Sequence, residues 1–155
     1  MPADVIIRPG TGDDAEAIAD IHLDSRRGAM PWLAELHSRA ETVAYFSAQV
    51  LQHNLVMVAE VDRTVAGFLA LAGACIEHLY IAPAHQSRGI GGRLLSLAKD
   101  LRPAGLELWT FQRNVRARRF YESRGFIASE FTDGSRNEER EPDVLYRWTP
   151  QDPRG

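Results

Sequence analysis

Leu79-Tyr80-Ile81-Ala82-Pro83-Ala84-His85-Gln86-Ser87-Arg88-Gly89-Ile90-Gly91-Gly92-Arg93-Leu94-Leu95 reads as strand, turn, glycine-rich loop and helix. Pro83 ends the strand. Apolar residues at Ile90, Leu94, Leu95, Leu97, Ala98 and Leu101 give a helical period over Gly89 to Leu101. Gly89, Gly91 and Gly92 carry no side chain, so backbone N–H groups can come close to a bulky anion. The helix N-terminus adds unpaired donors and a partial positive charge, which suits a pyrophosphate. Arg88 and Arg93 are placed to add charge-assisted contacts. Two other phosphate-binding readings fail on the residues themselves. A Walker loop needs a Gly-Lys-Ser/Thr ending, and position 94 is leucine where a dinucleotide fingerprint has its third glycine.

Upstream of this stretch, Val5 to Arg8 reads as a strand stopped by Pro9-Gly10. Thr11 or Asp13 caps a helix with Ala15, Ile18, Ala19 and Leu23 inward. A second helix spans about Ser38 to Gln52, with Val43, Phe46, Val50 and Leu51 inward. Leu55 to Val61 and Val65 to Ala72 form a hairpin around Asp62-Arg63, and Cys75 to Ile81 is a further strand. Downstream, Leu106 to Phe111 is a strand and Asn114 to Ser123 a helix closed by Gly125 as a left-handed cap. Phe126 to Phe131 and Asp143 to Trp148 are the last strands. The order β-α-α-β-β-β-α-β-α-β-β predicts a mixed α/β sheet.

The 155 residues suit one domain able to bury its own core. The composition, 45% hydrophobic and 25% charged, is that of a globular protein, and a formal charge of -3 gives no global drive toward nucleic acid or an anionic membrane. Cys75 is the single cysteine, which rules out an internal disulfide and a cysteine metal cluster. Met1-Pro2-Ala3-Asp4 lacks the features of a secretion signal, and no apolar run approaches ~20 residues, so a cytoplasmic location is expected.

Gln86-Ser87-Arg88-Gly89-Ile90-Gly91 matches the Gln/Arg-x-x-Gly-x-Gly/Ala signature of the GNAT superfamily. Glu77-His78-Leu79-Tyr80-Ile81-Ala82-Pro83 resembles that family's fourth strand. Asn114 through Phe120-Tyr121-Glu122-Ser123-Arg124-Gly125-Phe126 resembles its second conserved block. The resemblance implies a single acyl-CoA N-acyltransferase domain over residues 1–155, with a mixed, mostly antiparallel central sheet flanked by helices. It further implies acetyl-CoA as cosubstrate, no metal, and acetyl transfer to a primary amine by direct attack through a tetrahedral intermediate. The alternative is a non-catalytic acyl-CoA-binding regulatory module of the same fold.

That chemistry needs a neutral amine, whereas an alkylamine has a pKa near ~10.4, so a proton must be removed. It also needs a donor at the carbonyl oxygen and an acid near the leaving sulfur. By resemblance, backbone N–H groups of Leu79, Tyr80 and Ile81 meet the thioester and cofactor arm. The loop Gln86, Ser87, Arg88, Gly89, Ile90, Gly91, Gly92 and Arg93 meets the pyrophosphate. Tyr121 serves the leaving sulfur, Asn114 the pantetheine arm, and Arg118, with Arg119 beside it, the phosphates. Each has a structural alternative: a packed tyrosine, an asparagine N-cap, a solvated basic face. Glu77 is the first choice of general base, with His78 as rival and a water chain as third option. Strand alternation predicts that at most one of Glu77 and His78 faces the site. His22, His37, His53 and His85 form no metal-ligand spacing, and Cys75 reads as an inert small hydrophobe.

In the family the acceptor site is built by the first two helices and the loop between the last strands, here Arg26 to His37 and Thr132 to Pro142. That loop and its edges hold Glu130, Asp133, Glu138, Glu139, Glu141 and Asp143 against Arg136 and Arg140, while residues 86 to 124 hold nine basic groups and three acids. The asymmetry predicts a cationic amine acceptor, a small molecule or a peptide. An exposed edge strand leaves room for a homodimer.

Overall fold

The computed structural model describes residues 4–150, so Met1 to Ala3, which entered the reading of the N-terminus, lie outside it. Seven strands form one sheet in the order β1-β2-β3-β4-β5-β7-β6. They are β1 (Val5–Pro9), β2 (Leu55–Val61), β3 (Thr64–Ala72), β4 (Cys75–Ile81), β5 (Leu106–Phe111), β6 (Ile127–Phe131) and β7 (Asp143–Trp148). Every neighbouring pair is antiparallel except β4 and β5, which are parallel. The mixed, mostly antiparallel α/β sheet read from the sequence is therefore the one observed. Among the described residues no helix is long and apolar enough to cross a membrane.

The helices divide between the two faces. α1 (Ala15–Ala29) and α2 (Arg39–Tyr45) cover one side, where Ile18, Ile21, Phe46 and Val50 pack on Val56, Val58, Phe68 and Ala70. α3 (Ile90–Leu101) and α4 (Val115–Glu122) cover the other, with Ile90, Leu94, Leu95 and Tyr121 against Leu69, Leu71, Leu108 and Tyr146. β3 is buried on both faces, as its nearly unbroken apolar run requires. In α1, Leu23 is only half-buried and Ile21 takes the inward place.

Local chemistry sets the element ends. Asp62 and Arg63 both have positive φ, the geometry of a type I′ hairpin without its usual Asn-Gly. Ser38 and Glu41 form a reciprocal capping box at the start of α2. That helix runs on through a π-helical segment, Phe46–Val50, and a last turn, Leu51–His53. α4 ends in a Schellman motif: Phe126 N–H donates to Tyr121 C=O, Gly125 N–H donates to Glu122 C=O, and Gly125 has φ 91°.

Candidate functional site

β4 and β5 touch at one place. Cys75 pairs with Glu107, whose N–H donates to Ala74 C=O at 3.0 Å, and beyond that point the strands diverge. A cleft of about 410 Å³ opens in the gap, lined by Ile76 to Ile81, the 85–92 turn, Leu108 to Phe111 and α4. The register of the antiparallel β3–β4 ladder decides which amides reach it. Ala82 N–H donates to Ala66 C=O at 2.7 Å, so alternation places Tyr80 in the hydrogen-bonded position opposite Phe68. The Tyr80 N–H is spent on β3, which corrects its assignment to a thioester contact; the N–H groups of Leu79 and Ile81 face the cleft. The Ile81 carbonyl, on the same side, accepts from Ser25 Oγ at 2.7 Å and Gln86 Nε2 at 3.1 Å.

Beneath the divergence lies the N-terminus of α3. Ser87 and Gly89 both occupy the left-handed region, with φ 65° and 82°. The first intrahelical bond is Arg93 N–H to Gly89 C=O at 3.1 Å, so the N–H groups of Ile90, Gly91 and Gly92 have no acceptor within the helix. A Cβ on Gly91 would meet the Phe120 ring at 3.4 Å, and one on Gly92 would meet Arg124 Nη2 at 3.3 Å. The Ile90 side chain itself is core.

The basic side chains at this turn differ from those expected. Arg88 and Arg93 are exposed and do not line the cleft, and Arg93 reaches toward Val5 C=O. Arg118 lies on the far side of α4, donating to Tyr146 Oη at 2.9 Å and Gln112 C=O at 3.3 Å. Instead Arg116 and Arg124 line the cleft. Arg116 donates to Gln86 Oε1 at 3.0 Å, and Arg124 lies 4.0 Å over the Phe120 ring. Asn114, Ala117, Phe120, Tyr121 and Arg124 share the cleft face of α4, and Arg118 is turned away from it. Asn114 caps α4 by accepting from Ala117 N–H at 3.2 Å and also lines the cleft.

Tyr121 is buried, with its ring among Phe120, Phe126 and Tyr146. Its hydroxyl has no hydrogen-bond partner among the described residues and lies in the cleft wall. Burial, with a smaller contribution from Tyr80, holds its pKa well above the usual phenol value. Across the cleft, Glu77 sits on a β-bulge. Leu71 pairs with Ile76 and Ala70 with His78, which leaves Glu77 without a partner. Bulges re-aim side chains, and the whole run Ile76 to Ile81, Glu77 and His78 included, borders the cleft. Glu77 is exposed. His78 Nε2 is 3.0 Å from Tyr45 Oη, and burial, then Arg26, pushes the imidazole down to about 4. Cys75 is held up to about 12 by burial, then Glu77, and is no nucleophile at neutral pH.

On the acceptor side, Trp32 lies under the Arg113 guanidinium at 3.7 Å and edge-on to Phe111 at 6.5 Å. The loop acids are committed to pairs: Glu139 with Arg26, Glu141 with Arg113 in two hydrogen bonds, and Glu138 with His37. Glu138 and Glu139 tie the 132–142 loop to α1 and its following connection, and Glu141 ties it to the turn after β5. Sequence reasoning also missed Trp109, 45% exposed and lining the cleft, and the buried His22 on α1.

Residues 52–128 match the family described as an acetyltransferase (GNAT) domain. A protein of Archaeoglobus fulgidus described as an uncharacterized N-acetyltransferase is 30% identical over 135 residues, covering 76% of this chain and 89% of its own. Among solved structures, apo-form YjaB of Escherichia coli superposes with a TM-score of 0.79 at 21% identity, over 96% of this chain and 99% of that one. The PaiA N-acetyltransferase of Thermoplasma acidophilum, solved in complex with coenzyme A, gives 0.75 at 19%, over 95% and 99%. At these identities the two structures bear on the fold.

Proposed function

The chain belongs to the GNAT acetyltransferase family, and on that premise we propose that it transfers an acetyl group from acetyl-CoA to the primary amine of a small acceptor. The observation that carries the reading is the convergence, in one cleft, of the free α3 N-terminus, the outward N–H groups of Leu79 and Ile81, and the Tyr121 hydroxyl. Acetyl-CoA supplies an activated thioester when bound. The N–H groups of Ile90, Gly91 and Gly92 fit its pyrophosphate, with Arg116 and Arg124 adding positive charge. The diverging strands admit an extended arm between them, and Asn114 offers it a side-chain amide. Leu79 or Ile81 N–H is placed to stabilise negative charge on the carbonyl oxygen. Glu77 takes the proton from the amine, directly or through water, and Tyr121 donates to the departing sulfur.

Thermal unfolding with and without acetyl-CoA, with ATP and NAD as controls, tests the donor. Acetyl-CoA at ~100 times its Kd stabilises the fold by about 2.7 kcal/mol. Release of free CoA thiol in the presence of amines tests the transfer. No stabilisation by millimolar acetyl-CoA would overturn the reading.

A further inference from the structure

Among the described residues, four buried side-chain nitrogens have no hydrogen-bond partner: His22 Nδ1, Arg26 Nε, His78 Nδ1 and His85 Nδ1. Three of them gather in one place. His22 and Arg26 are one turn apart on α1, and the His22 ring lies 5.6 Å from that of His78 and 4.9 Å from that of Tyr80. Buried polar atoms are nearly always paired, so a cluster of unpaired ones calls for partners from ordered water or from a ligand drawn in against them.

His22 and Arg26 line a second cavity, of about 250 Å³, roofed by the connection after α1 and by Glu139 of the clamped loop. Met30 lines both this cavity and the cleft. The rest of the wall is largely apolar, with Leu23, Pro31, Leu33 and Leu36. Its charged side chains are Arg26 and Arg27 against Glu35 and Glu139, two of each sign. His22 adds no charge at neutral pH, because burial, then His78 and Arg26, pushes it down to about 3. Arg27 is engaged by Glu35 and Asp24. Arg26 gives Glu139 a single nitrogen, Nη2 at 3.1 Å, and its Nε and Nη1 have no hydrogen-bond partner.

We propose that this second cavity binds the acceptor, and that the acceptor is a small α-amino acid with an apolar side chain. Arg26, with His22, holds its carboxylate, and its amine is presented to the cleft beside Glu77. The proposal rests on the acetyl-transfer reading above and adds the class of amine. A wall of balanced charge gives a free cation or a free anion little return for its desolvation, whereas a zwitterion brings its carboxylate to Arg26 of this wall and its amine, past the shared Met30, toward Glu77 of the cleft. The volume lies below the ~300–1,000 Å³ of sites for drug-sized ligands and suits one residue-sized molecule.

The test compares L-leucine with isopentylamine, which lacks the carboxylate, and with L-leucinamide, which lacks its charge. Stabilisation of the CoA-bound protein and kcat/KM for CoA release are both measured. L-leucine is expected to stabilise the complex and to exceed both analogues by about 10- to 100-fold in kcat/KM, the size of a charge-assisted hydrogen bond. Arg26→Gln collapses that ratio. Glu139→Gln, which breaks the same ion pair but leaves the guanidinium, preserves it, so structural damage is separated from lost recognition. Equal handling of the three compounds, no stabilisation by L-leucine, or equal loss of the preference in both variants would overturn the proposal. The shift with acetyl-CoA alone, measured in parallel, reports separately on the donor reading.

Discussion

Replacing Tyr121 with phenylalanine removes one hydroxyl from the cleft and leaves the ring among Phe120, Phe126 and Tyr146, with centroids at 5.1, 5.5 and 6.4 Å. No protein group loses a hydrogen bond, so the stability change is expected to stay under about 1 kcal/mol, or ~4 °C in Tm at this size. The kinetic effect follows from relative acidities. Burial holds the Tyr121 hydroxyl above the ordinary phenol value, whereas a thiol ionises near ~8.5. Full transfer of the proton to a free thiolate is therefore uphill, and the hydroxyl acts chiefly as a hydrogen-bond donor to sulfur as charge builds there. A hydrogen bond to a charged group contributes about 1.5–3 kcal/mol, so Tyr121→Phe is expected to lower kcat by roughly 10- to 150-fold. The stabilisation by acetyl-CoA should persist. CoA release followed with a thiol reagent, alongside thermal unfolding, measures both. The raised pKa also sets a sign. The group keeps its proton in the folded state above ~10, so the stability it contributes is present below that pH and lost as pH rises further. An unchanged kcat would refute the role given to the hydroxyl, and a large drop in Tm would show that it serves the fold.

Gly91→Ala should raise the Tm of the ligand-free protein modestly, because alanine favours a helix by about 0.5–1 kcal/mol over glycine and the added Cβ meets the Phe120 ring at 3.4 Å and Ile81 Cγ1 at 3.7 Å. The same methyl crowds the free amides, so the shift produced by acetyl-CoA should shrink. Arg116→Gln with Arg124→Gln should weaken acetyl-CoA binding by about 10-fold or more, measured by calorimetry, whereas Arg118→Gln, which breaks the Tyr146 contact, should cost stability and leave the Kd nearly unaltered. His78, held down to about 4 in the fold, binds a proton more readily in the unfolded chain, where it titrates near ~6.5. Its neutral burial is therefore favourable above that value, and stability falls as pH drops from about 6.5 to 4. His22, pushed down to about 3 chiefly by burial, adds to the same limb, so His78→Gln should reduce that slope and His22→Gln with His78→Gln should flatten it, in denaturant titrations across the same range.

The fold was legible because local signals and the hydrophobic pattern agree. Strand ends fall at Pro9, Pro83 and Gly105, Gly125 caps α4, and the apolar run of β3 marks it as central. The misses come where one residue's position depends on a partner far along the chain. Leu23 carries the helical period as well as Ile21 does, and only the placement of α1 against β3 and β4 decides which is buried. The bulge at Glu77 has no sequence mark, because it arises from the register with β3. Strand alternation, applied without it, put Glu77 and His78 on opposite sides.

The site shows the same division between backbone and side chain. The free main-chain amides of Ile90 to Gly92 could be read from glycine spacing, since missing side chains leave the backbone open to close approach. Roles carried by arginines could not, because a long flexible cation is assigned by which face of its element it occupies. Arg88 and Arg93 flank the glycines in sequence, yet both leave the cleft, while Arg116 and Arg124, some thirty residues on, turn back into it. The helical phase of α4 held only part of the signal: Ala117 and Arg124 lie at i−4 and i+3 from Tyr121, but Arg118 lies at i−3, no farther in phase, and it is drawn away by its tertiary partners Tyr146 and Gln112. The acids of the 132–142 loop depend on tertiary placement in a parallel way. Their number suggested a binding surface for a cation, but a carboxylate's partner is set by tertiary placement, and here Arg26, His37 and Arg113 claim Glu139, Glu138 and Glu141. Neutralising those acids should therefore loosen the loop before it alters the acceptor KM, since Glu139 alone of the three touches the Arg26 guanidinium.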